Sequence, residues 1–433
     1  MFENRTWSPH VYSDSWQRVK GTPVSLYAAY YDERAPQRYV RILAIFHGRN
    51  ISAGKPLYCQ TRSFNSSEDS IEVVAAKPLE MWWHEWDTAS STVETPFLLS
   101  CPLTDSLYDL SVVSIVTEPC EDPGNAFVLK PQKKLTEYKR TFTICVKDMN
   151  FNKNMAQNLI EWIETNKILG VDLIDVYIDE ISEETQNVLL RYKDQGNLAE
   201  SEYIVPLDVD EILLPKIAFN LSELLRRLRK FGWNPKKYSS ILVQNVFFFD
   251  FMQGVHKYKF FKNVFNKSKM YVKRDNVRIN EAINMDVEKI ELEDDSNTLT
   301  MTELDNLDKE NLNKYGIKCK RKIPIPKLSQ NIIRSALVSP VGYYSKSMML
   351  TRRVLTAFNH YPLTNLGMTG FAGWSAPFSE VQLNHYKESC NTTMVAECVR
   401  YGQRTRVDRS ALRLHPRLTQ ALASALCHKI KTF

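Results

Sequence analysis

"YIVPLDVDEILLP", residues 203 to 215, places Asp208, Asp210 and Glu211 within four positions directly after an apolar run. Only 24% of the chain is charged, so this density of like charge at the end of a buried-type strand needs a physical reason. The flanking pattern supplies a context for it. TFTICVK (141–147), LIDVYI (173–178) and YIVPL (203–207) read as buried strands. Between the first two lies NMAQNLIEWIETNKILG (154–170), with Leu159, Trp162, Ile163 and Leu169 near helical spacing before a terminating Gly170. Between the second and third, SEETQNVLLRYKDQG (182–196) opens on a capping-type Ser182 followed by early carboxylates that suit a helix dipole, and closes at Gly196. Strand, helix, strand, helix, strand predicts an α/β fold with a mostly parallel sheet and right-handed crossovers.

In such a sheet, ligands bind outside the carboxyl ends of the strands, which is where Asp208, Asp210 and Glu211 fall. If the extended geometry persists, Asp208 and Asp210 project to one face and converge. Converging carboxylates repel unless something positive lies between them, and a hard divalent cation bound through oxygen is the common answer. Such a cation keeps positions free for substrate phosphates and neutralises charge developing on a departing nucleoside diphosphate. The competing reading is a polar strand end that caps the following helix.

At 433 residues the chain exceeds the roughly 250 to 300 residues at which single cores stop growing, so two domains are expected. Residues 24 to 117 alternate short Val-, Ile-, Tyr- and Phe-rich runs (VSLYAAYY, YVRILAIF, PLYCQT, IEVVAA, LSVVSIVT) with turn residues, which predicts a small antiparallel β domain. EPCEDPGNAFVLKPQKK (118–134) reads as a connector, dividing a β-rich region 1–134 from an α/β region 135–433. An acidic insertion around 284–313, with nine carboxylates and two lysines between Glu288 and Glu310, reads as a solvated loop.

Apolar residues make up 43% of the chain, and the net charge of +6 arises from interspersed signs, which argues against nucleic acid as a partner. No run approaches the roughly 18 apolar residues of a spanning helix, and MFENRTWSPH has neither a basic leader nor an apolar core, so the chain as given is expected to be neither anchored nor self-exporting. Six acceptor triplets for N-glycosylation, at Asn4, Asn50, Asn65, Asn220, Asn266 and Asn391, point to a secretory compartment. The eight cysteines form no C-x-x-C pair, which disfavours zinc. A mixture is expected, with at least one bridge from the Cys59, Cys101 and Cys120 group and a plain buried thiol at Cys145.

TFTICVK, LIEWIETNKILGV, VYID, LDVDEILLP, SKSMMLTRRVLTAFNHYP and VQLNHYKESC, in that order, resemble glycosyltransferase family 92 over about residues 138 to 400. AYYDERAPQRYVRILAI and PLYCQT resemble the family's accessory region. The resemblance implies a GT-A-type nucleotide-sugar fold and a Golgi-lumen galactosyltransferase that forms β linkages from UDP-galactose to galactose or fucose on glycans. It implies Mn²⁺ held by Asp208 and Asp210 with the diphosphate, and by His385 in LNHYK. His360 in FNHYP matches a further family position. Inversion requires a carboxylate base, for which Asp250 in FFFDF and Glu211 are the candidates. The family usually carries a membrane anchor near its start, which the chain as given is expected to lack.

One feature departs from the resemblance. The family has room for a further strand and helix, with an Asp-Cys pair, between the helix ending near Tyr192 and the strand starting at Tyr203, and KDQGNLAESE holds neither. A crossover needs a dozen residues or more. This departure sustains the alternative of a glycan-binding or scaffold protein that has lost the donor pocket; a nucleotidyltransferase using the same metal-diphosphate chemistry is a third reading.

Overall fold

The computed structural model describes residues 16–48, 54–63, 71–81, 94–104, 111–129, 140–193, 201–253, 323–367, 372–389 and 395–427. The acidic run 284–313 and five of the six acceptor triplets lie outside them. The chain divides into two compact units, one drawn from the described residues of Met1–Glu137, Arg352–Phe358 and Leu363–Phe371, the other from Tyr138–Thr351, Asn359–Pro362 and Ala372–Phe433.

The first unit is built on two antiparallel sheets. One orders Gln17–Arg18, Val24–Asp32, Arg38–His47, Glu94–Leu103 and Lys77–Glu80; the other orders Ile71–Ala75, Tyr58–Ser63, Ser111–Val116 and Phe127–Leu129. Val40, Ile42, Phe97 and Leu99 from the first sheet and Val113, Ile115 and Leu129 from the second share one core, so the sheets form a sandwich. The presumed connector thus contributes a strand, Phe127–Leu129, and ETPFLLSCPL adds one that its continuous apolar run had concealed.

A disulfide between Cys59 and Cys101 ties the two sheets through their shared core. It closes a separation of 42 residues, which in the chain-entropy account contributes about 4 kcal/mol. Cys120 is a free, exposed thiol; Cys145 is free and half-buried, and burial pushes its thiol up. Cys398 and Cys427 are also in disulfides.

Within this unit Asp32 is buried and accepts from Arg34 Nε at 2.7 Å and Arg41 Nε at 3.2 Å, while Arg41 donates across the sheet to Ser100 Oγ at 2.6 Å. Burial pushes the Asp32 carboxyl up, but the bonds and charges of Arg34 and Arg41 outweigh it and hold it below its ordinary value. A depressed carboxylate contributes stability above its unfolded pKa, about 3.9, and loses that contribution as pH falls through the lower folded value. Asp32→Asn is therefore expected to destabilise by about 3 kcal/mol at pH 7, because Arg41 is left buried without its partner. The gap between wild type and variant in thermal melts should close in acid, below the ordinary carboxylate range.

The second unit is mixed α/β. Its six-stranded sheet runs Leu173–Ile181, Arg140–Phe151, Ser201–Pro206, Lys346–Leu350, Ser240–Val243 and Gly373–Ser375. The first three strands are parallel, as the alternating pattern predicts; Lys346–Leu350 then runs antiparallel to both its neighbours, so the sheet is mixed rather than uniformly parallel. A second, three-stranded sheet orders Glu211–Pro215, Val381–Lys387 and Asn245–Phe249.

Helix Ala156–Ile168 buries Leu159, Ile160, Trp162 and Ile163 and ends before Gly170, whose φ of 89° is a conformation that glycine adopts without strain. Helix Glu183–Tyr192 is capped by Ser182 and ends at Tyr192, as expected, four residues short of Gly196. Helix Leu221–Lys230 starts at Asn220, whose side chain accepts from the Glu223 amide, so the one described acceptor triplet doubles as a helix cap. Between Tyr192 and Ser201 there is no length for a crossover unit, and Leu173–Ile181 is the edge strand of the described sheet. No described helix is long and apolar enough to cross a membrane.

Candidate functional site

The acidic run lies where the chain leaves one sheet for the other. Ser201–Pro206 belongs to the six-stranded sheet and Glu211–Pro215 to the three-stranded one, and Asp208, Val209 and Asp210 form the turn between them. The turn is closed by the Glu211 amide donating to the Asp208 carbonyl at 3.0 Å and by the Asp208 amide donating to Glu211 Oε2 at 2.9 Å. The extended geometry that would align Asp208 with Asp210 is therefore absent, because the chain must bend to change sheets.

Pairing supplies the rest of the site. Glu211–Pro215 lies antiparallel to Val381–Lys387 with Glu211 opposite His385, and the Tyr386 amide donates to the Asp210 carbonyl at 2.8 Å. This register brings His385 to the turn from far along the chain. Its Nε2 stands 3.3 Å from Asp210 Oδ2 and its Nδ1 3.5 Å from Glu211 Oε1. Neither ring nitrogen, both buried, has a hydrogen-bond partner of good geometry. Trp162 donates its indole N–H to the Glu211 carbonyl at 2.8 Å and pins the turn to helix Ala156–Ile168.

The four acids have separate fates. Burial pushes Asp210 up, but His385 and then Lys387 draw it down to about 2, so it stays ionised at any physiological pH. Glu211 is fully buried, and that burial raises its carboxyl, with the charges of Asp208 and Asp210 adding to the rise and His385 and Lys346 opposing it. Asp208 meets Lys346 Nζ at 3.1 Å and Lys147 Nζ at 3.8 Å. Asp250 lies elsewhere, in a short 3-10 turn, where it accepts from Lys327 Nζ at 3.2 Å and Asn331 Nδ2 at 3.0 Å.

Asp208 and Asp210 border a cavity of about 640 Å³ at the carboxyl ends of the parallel strands. Val146, Met149, Phe151, Trp162, Leu328 and Tyr386 supply its apolar wall; Lys147, Lys153, Lys327 and Lys387 face Asp148, Glu161, Asp208, Asp210 and Glu388 around it. Neither Glu211 nor Asp250, the two carboxylates expected as bases, lines this cavity. Glu211 is sealed behind the turn and Asp250 is committed to Lys327 and Asn331.

His360 also lies off the wall, donating Nδ1–H to the Ser345 carbonyl at 2.9 Å; burial and the charge of Lys346 lower its pKa. The four lysines and Lys346 escaped sequence reading, since single lysines carry no spacing signal. Glu161 escaped it too: buried on a helix, it accepts from the backbone N–H groups of Lys327 and Leu328 at 2.8 Å each and holds that segment against the cavity.

With this geometry in place, the comparison with known proteins is decisive for the family. The profile of glycosyltransferase family 92 matches residues 140–200 and 197–420, most of the chain and nearly all of the second unit. The chain belongs to glycosyltransferase family 92. It is also similar to beta-1,4-galactosyltransferase galt-1 of Caenorhabditis elegans, at 24% identity over 166 residues, 36% of this chain and 39% of that protein's length. The matched span contains Asp208, Asp210, Lys346 and His385.

Whether these side chains fit a divalent cation is a matter of donor type and spacing. Among the described residues no three His, Cys, Asp or Glu side chains converge on one point. Asp210 and His385 nevertheless offer a carboxylate oxygen and an unpartnered imidazole nitrogen 3.3 Å apart, and both are donor types such ions accept. Adjacent donors on an octahedral ion stand roughly 3 Å apart when bonds are about 2.1 Å. A carboxylate facing the other ring nitrogen, as Glu211 does here, is the usual support for a ligating histidine. The pair fits a cation whose remaining positions are filled by phosphate and water.

The Trp162 bond tests how firmly the turn is held. Trp162→Phe keeps the ring in the cavity wall but leaves the buried Glu211 carbonyl without its donor, a loss expected to cost about 1 to 3 kcal/mol in urea unfolding. An unchanged midpoint would mean that the strand pairing alone anchors the turn.

Proposed function

We propose that this chain is an inverting, metal-assisted hexosyltransferase of the Golgi lumen that moves galactose from UDP-galactose to galactose or fucose on a glycan, forming a β linkage. The observation that carries this reading is Asp210, with His385 buried directly behind it, on the wall of a cavity that four lysines also line. Among the described residues, five carboxylates and four lysines line the wall, a mixture that complements neither a bare cation nor a bare anion. They suit a cation and a diphosphate bound together. Galactose is supported by the name of the worm relative, and the oxidising lumen by the disulfides.

Asp210 and His385 would hold Mn²⁺, which supplies Lewis-acid neutralisation of the charge that builds on the departing diphosphate. Lys147, Lys153, Lys327 and Lys387 draw the phosphates to the wall and hold them there. The apolar wall excludes water from the sugar's reacting carbon. Asp148, exposed on the wall, takes the proton from the acceptor hydroxyl; Glu388 is already paired with Lys153. Asp148→Asn is expected to lower kcat by about 10² to 10⁴-fold while leaving UDP affinity nearly unchanged. Asp250→Asn should not produce that split, and an Asp250 variant that did would return the base to FFFDF.

A second reading, a glycan-binding protein without transfer, is favoured by the short connection that leaves Leu173–Ile181 at the sheet edge. Thermal melts with UDP, with and without Mn²⁺, separate the two. A ligand bound only by the folded state stabilises by about 2.7 kcal/mol at a hundredfold excess over its Kd. Transfer predicts a Mn²⁺-dependent rise in Tm that Asp210→Asn abolishes, and a product of increased mass when UDP-sugars are incubated with galactose- or fucose-terminated acceptors. Binding alone predicts a shift with the glycan and none with UDP.

A further inference from the structure

Lys346 is wholly buried, an unusual place for an ammonium group. Its Nζ donates to Asp208 Oδ2 at 3.1 Å and to Asn359 Oδ1 at 3.0 Å and stands 3.1 Å from Glu211 Oε2. Two of its donors thus meet acceptors, and the ammonium removed from water lies beside two carboxylates. Asp210 receives nothing from it. The neighbours of Asp210 are His385 and Lys387, and a third of its side chain is exposed toward the cavity, where Asp208 and Asp210 line the wall and Glu211 does not.

We infer that Lys346 is a positioning residue that divides the acidic run into an internally neutralised half, Asp208 with Glu211, and a ligand-binding half, Asp210 with His385. By fixing Glu211 opposite His385 Nδ1, Lys346 keeps the ring's Nε2 directed at Asp210. Asp208, expected from the D-x-D spacing to share a cation with Asp210, is instead spoken for by a lysine contributed from the strand Lys346–Leu350 of the same sheet. This inference rests on the reading that the cavity takes a divalent cation.

The test is Mn²⁺ uptake by the full chain without nucleotide, followed by the electron paramagnetic resonance signal of the free ion. Asp210→Asn is expected to weaken uptake by roughly tenfold or more, since the number of charged ligands sets affinity. Asp208→Asn should leave it nearly unchanged; an equal loss in both variants overturns the division. Lys346→Met should raise uptake, because it frees Asp208, and adding Asp208→Asn should remove the gain. A folded Lys346→Met protein with unchanged uptake also overturns the inference.

If Lys346→Met does not fold, the contrast between the two aspartate variants decides alone. If the wild type takes up no Mn²⁺, the cation reading fails, and the neutralised half is judged separately by melts in a chelator. There Lys346→Arg and Asp208→Asn should each lower Tm, with a combined effect smaller than their sum; additive losses overturn that half as well.

Discussion

Three carboxylates within four residues, two of them facing a cavity and one sealed behind it, can coexist only if positive charge is brought to each by some other part of the chain. Lys346 answers for Asp208 and Glu211, and Lys387 answers for Asp210, which also faces the His385 ring. None of these partners is local in sequence. The turn is therefore stable only after Lys346–Leu350 and Val381–Lys387 have paired into their sheets, so the site and the sheet architecture form together. Removing Lys346 leaves the buried Glu211 carboxyl without its cation, a larger penalty than the loss of a surface ion pair.

That dependence explains why the acidic run sits at a change of sheet. A strand continuing straight on would align Asp208 and Asp210 on one face and expose Glu211 on the other. Bending between sheets instead turns Glu211 inward to accept the Asp208 amide and places its carbonyl under the Trp162 indole. The bend is held at the same time by helix Ala156–Ile168, by the partner strand carrying His385 and by Lys346. Such over-determination is what allows a cluster of like charges to hold its geometry before any ligand arrives.

Much of the framework was readable from residues 140 to 215, where hydrophobic period, the Ser182 cap and the terminating Gly170 all act locally. The D-x-D-E run pointed to the right place for the same reason. What could not be read was the turn itself, since Leu207 to Glu211 has no residue that demands a bend; the demand comes from pairing with Val381–Lys387. The antiparallel course of Lys346–Leu350 is hidden likewise, because KSMML is an apolar run compatible with either direction. Chemical type alone makes Glu211 and Asp250 candidate bases, and neither lines the cavity: Glu211 is buried and Asp250 is paired with Lys327. Lys346 was invisible because its function is entirely in its partners.

The short passage between Tyr192 and Ser201 is the strongest argument against transfer, and the walls of the cavity show how far it reaches. Among the described residues the cavity is lined from within 146–162, 208–212, 327–328 and 386–389, and none of these wall residues comes from the helix Glu183–Tyr192. Leu173–Ile181 is the edge strand of the described sheet and exposes Ile178, while the acidic turn, His385 and the four lysines stand on other elements. A chain that had lost its donor site would have no reason to retain a buried lysine balanced against two carboxylates beside that cavity, since an apolar replacement is often no less stable. The charge arrangement around Lys346 therefore weighs toward an enzyme, more heavily than the missing crossover weighs toward a scaffold.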